Sequence, residues 1–106
     1  MKSLLIANRG EIAIRIARSA KDLGIKTIGI YSEDDVNSLH LSKMDDNYLL
    51  KGKGTSAYLD IKNIISVAKE CKAEAIHPGY GFLSENPGFA REAEKNGISF
   101  VGPEEK

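Results

Sequence analysis

The chain has 106 residues, of which 42% are hydrophobic, and its 15 Lys and Arg balance 15 Asp and Glu. This length fits one domain with a modest core, and the balanced charge argues against a nucleic-acid or anionic-membrane surface. The single cysteine, Cys71, excludes an internal disulfide and a zinc-type ligand set, so we expect a reducing compartment and no resident metal. Apolar runs are too short for a transmembrane span. The single cysteine and the short apolar runs together predict a cytoplasmic protein.

The first third of the chain predicts a strand, a helix and a second strand. Residues 3–7 (SLLIA) are an apolar run that ends at NRGE, where Asn8 is a candidate helix cap. The helix follows from Glu11, and Gly24 supplies the glycine that often ends a helix. Residues 25–32 (IKTIGIYS) are β-branched and apolar, and are too few for a helix, so they predict the second strand.

The first predicted helix has an apolar stripe and a charged side. Arg15, Arg18 and Asp22 lie away from the stripe, and a solvated helix face is enough to explain them. The stripe itself recurs at helical spacing and consists of Ile12, Ala13, Ile16, Ala17, Ala20 and Leu23.

The rest of the chain continues the alternation in shorter elements. Asp60 is a candidate cap for a helix whose stripe contains Ile61, Ile64, Ile65 and Ala68. The other expected elements are a short helix over 38–43, a strand over 47–51, a solvated loop over 52–57, a strand over 73–77, a helix over 85–97 and a strand over 98–102.

Strands that alternate with helices predict an α/β, Rossmann-like parallel sheet of about five strands, with helices on both faces and right-handed crossovers. Ligands of such sheets bind beyond the carboxyl ends of the strands. The loops that start at Asn8, Ser32 and His77 should therefore share the functional edge.

Two segments superficially resemble phosphate-binding loops. ANRGEIA, which begins at Ala7, joins a strand to a helix but lacks the three-glycine pattern, and the motif GxxxxGKS or GxxxxGKT is absent. A helix start with Arg9 on the surface explains it better. KGKGTSAY, residues 51–58, lacks a strand and helix at the required distances, so a connecting loop is the simpler interpretation. Asp34 and Asp35 are interpreted as surface turn acids.

The segment HPGYGFLSEN, residues 77–86, combines backbone constraint with two aromatic rings. Gly79 and Gly81 allow the chain to turn or to approach another surface closely. Tyr80, flanked by these glycines at the carboxyl edge of the sheet, is a candidate for contact with a ligand or a neighbouring domain. The alternative is a strand-to-helix turn that buries its apolar side chains.

Five segments together resemble the N-terminal domain of biotin carboxylases, from Leu4 to Pro103: LIANRGEIAIRIAR, IKTIGIYSEDD, SAYLDI, AIHPGYGFLSEN and FVGP. That enzyme component occurs in acetyl-CoA, propionyl-CoA, methylcrotonyl-CoA, pyruvate and urea carboxylases. The resemblance implies a pre-ATP-grasp version of the Rossmann-like fold. Val36, Met44, Asp45 and Asp46 depart from the family pattern and put charge pairing in that loop in doubt.

The resemblance implies ATP-dependent carboxylation of carrier-bound biotin by bicarbonate, with magnesium or manganese accompanying the nucleotide. It also implies as partners an ATP-grasp domain, a C-terminal domain and a biotin carrier, and a homodimer. The family's catalytic residues lie beyond the position of Lys106. We therefore expect a single domain over 1–106 that is a fragment of a longer chain and is inactive alone.

The same resemblance implies roles for individual positions. The turn from His77 to Asn86 is expected to line the active-site cleft, with Tyr80 near the biotin. Arg15, Arg18 and Asp22 are expected to face a second subunit. The cleft-lining set is His77, Gly79, Tyr80, Gly81, Glu85 and Asn86.

Two other functions remain open from the residues alone. One is a free-standing nucleotide-binding or signalling module, which the α/β pattern also fits. The other is a non-catalytic assembly domain that pairs through Arg15 and Arg18.

Overall fold

The computed structural model describes residues 2–35, 37–52, 54–79 and 87–101. In this part of the chain strands and helices alternate, as the apolar patterns predict. The elements are β1 (Ser3–Ile6), α1 (Gly10–Asp22), β2 (Lys26–Tyr31), a 3₁₀ helix (Leu39–Lys43), β3 (Asp46–Leu49), α2 (Thr55–Tyr58), α3 (Ile61–Glu70), β4 (Ala75–His77), α4 (Pro87–Lys95) and β5 (Ser99–Phe100).

The strands form one parallel sheet in the order β3-β2-β1-β4-β5. Central Leu5 of β1 lies opposite Ile28 of β2 on one side and Ile76 of β4 on the other. The chain leaves β1 toward β2 and later returns to the other side of β1 as β4. The strand order therefore reverses between β1 and β4, which is where parallel α/β sheets bind ligands.

Helices cover both faces of the sheet, as predicted. Alternate residues of β1 point to opposite faces, so Leu5 belongs to one core and Leu4 and Ile6 to the other. The core around Leu4 and Ile6 packs against α1. The core around Leu5 is larger and is completed by side chains of α3 and α4, including Ile64, Ala68, Phe89 and Ala93.

The end of α1 differs from the predicted stripe. Leu23 is 76% exposed, because the helix ends at Asp22 and Leu23 already belongs to the cap. Gly24 follows with a φ of +73°, and Ile25 donates its N–H to the carbonyl of Ala20. This left-handed cap turns the chain toward β2, so the last apolar position at helical spacing never reaches the core.

The segment predicted as a solvated loop contains a helical turn. Thr55–Tyr58 forms α2, in which Ala57 and Tyr58 are buried against the larger core. Asp60 caps α3 as predicted, since its side chain accepts a hydrogen bond from the N–H of Asn63. The last two strands are shorter than predicted, and residues 85–86 and 102 lie outside the described residues. None of the described helices has the length and apolar character needed to cross a bilayer.

Candidate functional site

The loops after β1 and β4 meet at the carboxyl edge of the sheet. The N–H of Ala7 donates to the carbonyl of His77 at 2.8 Å, and the Asn8 side-chain Nδ2 donates to the carbonyl of Pro78, also at 2.8 Å. Asn8 is therefore not the helix cap that the sequence predicts. The cap position belongs to Arg9, whose side chain makes no capping hydrogen bond, and Asn8 Oδ1 accepts from the Arg9 N–H.

Gly79 brings the second of these loops against the first. Its φ is +81°, a conformation that side chains rarely adopt. A Cβ at this position would lie 2.9 Å from Asn8 Cγ and 3.1 Å from Ile12 Cγ2. Both observations confirm that this glycine serves a turn and a close approach.

His77 lies at the start of the same turn and is half-buried. Its Nδ1 accepts a hydrogen bond from the N–H of Gly79 at 3.0 Å, so in the neutral ring the proton is on Nε2. Burial lowers the pKa of His77. The ring therefore enters the functional edge as a neutral side chain at physiological pH.

The loop after β2 is tied to the loop after β1 by an ion pair. Arg9 Nε and Nη2 donate to the two carboxylate oxygens of Asp35, each at 2.9 Å. The guanidinium carbon also lies 5.7 Å from the centroid of the Tyr58 ring. Arg9 lies on the surface, as predicted, with its side chain about half exposed. In addition, Asp35 and the Tyr58 ring hold the guanidinium on two sides.

Tyr58 joins this pair to the backbone beneath it. Its hydroxyl accepts from the N–H of Ser32 at 3.0 Å and donates to Asp35 Oδ2 at 2.7 Å. Burial, and then the hydrogen bond to Asp35, raise the pKa of Tyr58. Sequence reasoning gave this tyrosine no role; the only signal was its place in the SAYLDI segment.

Asp34 extends the network to the loop after β3. It accepts from the hydroxyl of Ser32 at 2.6 Å and from the N–H of Gly54 at 3.0 Å. Glu33 likewise accepts from the N–H of Gly52. The loops after β1, β2, β3 and β4 are thereby joined by hydrogen bonds. The acidic residues after β2, interpreted from the sequence as surface turn acids, therefore hold neighbouring loops together.

These acids predict a loss of stability in acid. Hydrogen bonds from Tyr58 and Arg9 lower the pKa of Asp35, and those from Ser32 and Gly54 lower that of Asp34. A carboxyl group whose pKa is lowered in the folded state stabilises the fold at pH values above its unfolded pKa of about 3.9. This contribution is lost as the pH falls through the pKa that the group has in the folded state. We expect the free energy of unfolding, measured with urea, to decrease below about pH 4. The variant Asp35→Asn should show a shallower decrease, and an unchanged pH slope would contradict this assignment.

His40 is hydrogen-bonded to the start of α1. It is fully buried, with Nε2 3.1 Å from the carbonyl of Ile30 and Nδ1 3.4 Å from the N–H of Gly10. Nδ1 therefore accepts and Nε2 donates, which fixes a neutral tautomer. This histidine links α1 to β2 and takes no part in the turn at His77.

Arg15, Arg18 and Asp22 are all exposed on α1, as predicted. Arg15 lines an open groove of about 280 Å³, together with Leu23, His77 and Val101. Arg18 lines a smaller groove with Lys21 and Lys43. Of the predicted cleft residues, His77 and Gly79 are brought together, whereas Tyr80, Gly81, Glu85 and Asn86 lie outside the described residues.

The fold and the loop edge first define a class. A parallel α/β sheet with helices on both faces, whose loops converge where the strand order reverses, belongs to the Rossmann-like class. Within that class, the sequence matches the family model for "Biotin carboxylase, N-terminal domain" over residues 1–106. The chain belongs to this family.

Individual relatives agree with the family model. The chain is 54% identical over 105 residues to pyruvate carboxylase of Staphylococcus aureus, covering 97% of this chain and 9% of that protein. It is 50% identical over 104 residues to biotin carboxylase 1 of Bacillus subtilis, covering 97% of this chain and 23% of that protein. The chain thus spans less than a quarter of either relative.

Solved structures agree as well. The biotin carboxylase domain dimer of Hydrogenobacter thermophilus 2-oxoglutarate carboxylase, in complex with MgADP, ADP and bicarbonate, matches with a TM-score of 0.92 and 48% identity. The match covers 96% of this chain and 22% of that one. The α/β fold with its five-stranded parallel sheet is therefore that of biotin carboxylase N-terminal domains.

Proposed function

We propose that this chain forms one wall of the active-site cleft of a biotin carboxylase, the component that carboxylates carrier-bound biotin with ATP and bicarbonate. The observation that supports it most is the turn at His77 and Gly79, held against Asn8 at the point where the strand order reverses. This turn begins within one of the two longest segments that resemble the family, and Asn8 lies in the other.

Within that function we propose that the turn residues contact the reacting molecules. His77 and Gly79 would form the base of the cleft wall, and Tyr80, Gly81, Glu85 and Asn86 would continue it, with Tyr80 near the biotin. A neutral His77 can hydrogen-bond a neutral ureido group without adding a charge to the cleft. No residue of this chain is proposed to transfer a proton or to form a covalent bond.

ATP and its divalent metal are proposed to bind elsewhere in the enzyme. Among the described residues, no three His, Cys, Asp or Glu side chains are grouped so as to hold a metal ion. The acidic side chains at the loop edge are occupied by hydrogen bonds from Tyr58, Ser32 and Arg9. The donor set does not fit a magnesium site, and we assign magnesium or manganese to the ATP-grasp part of the enzyme.

The same proposal includes partners. The chain would act with an ATP-grasp domain, a C-terminal domain and a biotin carrier, in keeping with its small share of each relative's length. Arg15, Arg18 and Asp22 would face a second subunit, since all three are exposed on one helix and a related domain was crystallised as a dimer. Among the described residues nothing favours a free-standing nucleotide-binding module over this role.

A chimera tests the proposal. This chain replaces the matching N-terminal region of B. subtilis biotin carboxylase 1, and bicarbonate-dependent ADP release is measured. We expect activity within about tenfold of the unmodified relative. This corresponds to a change of no more than about 1.4 kcal/mol in the activation barrier. The relative without its N-terminal region is the control and should be inactive.

Two outcomes would overturn parts of this account. A folded chimera that binds ATP and releases no ADP would contradict the cleft-wall function. A chimera that is active but monomeric at all concentrations, by light scattering, would contradict only the proposed pairing through Arg15, Arg18 and Asp22. The cleft-wall function would stand.

A further inference from the structure

The ladder between β1 and β4 ends in an unusual way. Its last backbone hydrogen bond runs from the N–H of Ala7 to the carbonyl of His77. In a parallel ladder the next N–H to donate to β1 would be that of Gly79, and it donates to His77 Nδ1 instead. Pro78, the residue that follows β4, has no N–H of its own. Pro78 is nevertheless fully buried, and a buried carbonyl without a partner is costly.

The side chain of Asn8 supplies a partner for this carbonyl. Its Nδ2 donates to the Pro78 carbonyl, and its Oδ1 accepts from the N–H of Arg9 at 2.8 Å. Both ends of the amide are therefore in use, which fixes its orientation. Asn8 thus ties the residue after β4 to the loop after β1 through a side chain.

Gly79 fits against that amide. It has no Cβ, and any Cβ there would collide with the Asn8 side chain. Its N–H points back to His77 Nδ1. The amide, the glycine and the imidazole ring thus pack as one unit, with the amide as the fixed element because it is anchored on the central strand.

We propose that Asn8 is a positioning residue for biotin, acting through the backbone of Pro78 and Gly79 and the ring of His77. The inference rests on the proposed function, because it assumes that this turn meets biotin. It goes further in assigning a specific task to a residue in the loop after a different strand, β1. ATP binding, which we place elsewhere in the enzyme, should not depend on Asn8.

The variant Asn8→Asp in the chimera tests this with little change in shape. The carboxylate still accepts from Arg9 but presents an oxygen to the Pro78 carbonyl in place of the N–H. We expect the KM for free biotin to rise about tenfold, as loss of one hydrogen bond predicts, with an unchanged KM for ATP. Asn8→Ala, which removes the donor without adding charge, should raise the biotin KM similarly.

Asn96→Asp is the matched control. Asn96 Nδ2 also donates to a backbone carbonyl at 2.8 Å, that of Glu92, but it lies after α4 at the opposite edge of the sheet. This variant should leave both KM values unchanged. A biotin KM within twofold of the parent in both Asn8 variants, or an equal rise in the ATP KM, would overturn the proposal.

A readout on the 106-residue chain separates this inference from the proposed function. Asn8→Asp should accelerate hydrogen exchange at the N–H of Gly79, whose bond to His77 depends on the turn. The N–H of Ile25, which donates to Ala20 far from the turn, should exchange as before. Unchanged exchange at Gly79 would refute positioning of the turn by Asn8. A folded but inactive parent chimera would instead refute the enzyme function and leave only the structural link between Asn8 and the turn.

Discussion

Replacing Phe89 with alanine should lower the free energy of unfolding by about 3–5 kcal/mol. Phe89 has no exposed surface and belongs to the larger core. Its ring meets that of Phe100 edge to face, with centroids 4.9 Å apart and planes at 62°. The variant loses the transfer energy of the ring, its contact with Phe100 and the packing of the space it filled.

Equilibrium unfolding in urea measures this effect. Domains of this size have only about 5–15 kcal/mol of stability, so Phe89→Ala should approach the unfolding limit at 37 °C. Leu59→Ala is the control, because Leu59 is 49% exposed and its truncation should cost less than about 0.5 kcal/mol. Similar midpoints for the two variants would mean that α4 does not pack on the sheet as described.

Replacing Gly79 with alanine should be the most damaging single change at the functional edge. Two costs add: the backbone stays at a φ of +81°, and the new Cβ meets the Asn8 side chain and Ile12. Strain and overpacking of this kind cost about 1–3 kcal/mol each. We expect a loss of about 2–4 kcal/mol in the free energy of unfolding.

Gly24→Ala separates the two costs. Gly24 has a similar φ of +73°, but no atom lies within 4 Å of the position where its Cβ would be. This variant should therefore lose only the conformational part, about 1 kcal/mol. Equal losses in Gly24→Ala and Gly79→Ala would show that the turn yields to a methyl group, and that the contact between Gly79 and Asn8 is not close.

The fold could be predicted from the sequence because its elements differ in hydrophobic period. Short apolar runs such as residues 3–7 and stripes such as Ile61, Ile64, Ile65 and Ala68 alternate along the chain, and this pattern determines a parallel α/β sheet. Helix ends were harder. Leu23 has the spacing of a core residue, yet the left-handed cap at Gly24 takes it out of the core, and spacing alone contains no information about that turn.

The site could be predicted at the level of loops but not of contacts. Parallel topology places the loops after β1, β2 and β4 at one edge, so the proximity of Asn8 and His77 followed from the strand pattern. The hydrogen bond of Asn8 did not, because asparagine before a helix usually caps it. The contact between Asp35 and Tyr58 spans 23 residues, and no local pattern predicts such a pair.

Motifs that local physics does not require identify the family. HPGYGFLSEN is more constrained than a strand-to-helix turn needs to be, and its described part shows why: Gly79 and Pro78 pack against the side chain of Asn8 in the loop after β1. Substrate choice is a different matter. Relatives at 52–55% identity include a pyruvate carboxylase, a methylcrotonoyl-CoA carboxylase subunit and a protein named "Putative urea carboxylase", so sequence identity in this domain does not single out one acceptor.

The most direct test of the central claim is the formation of carboxybiotin by the chimera from isotopically labelled bicarbonate. The cleft-wall function predicts that labelled carboxybiotin forms only when ATP and biotin are both present. The amount of labelled product should match the amount of ADP released in the same reaction. A folded chimera that binds ATP and forms no labelled product, while the unmodified relative does, would contradict it.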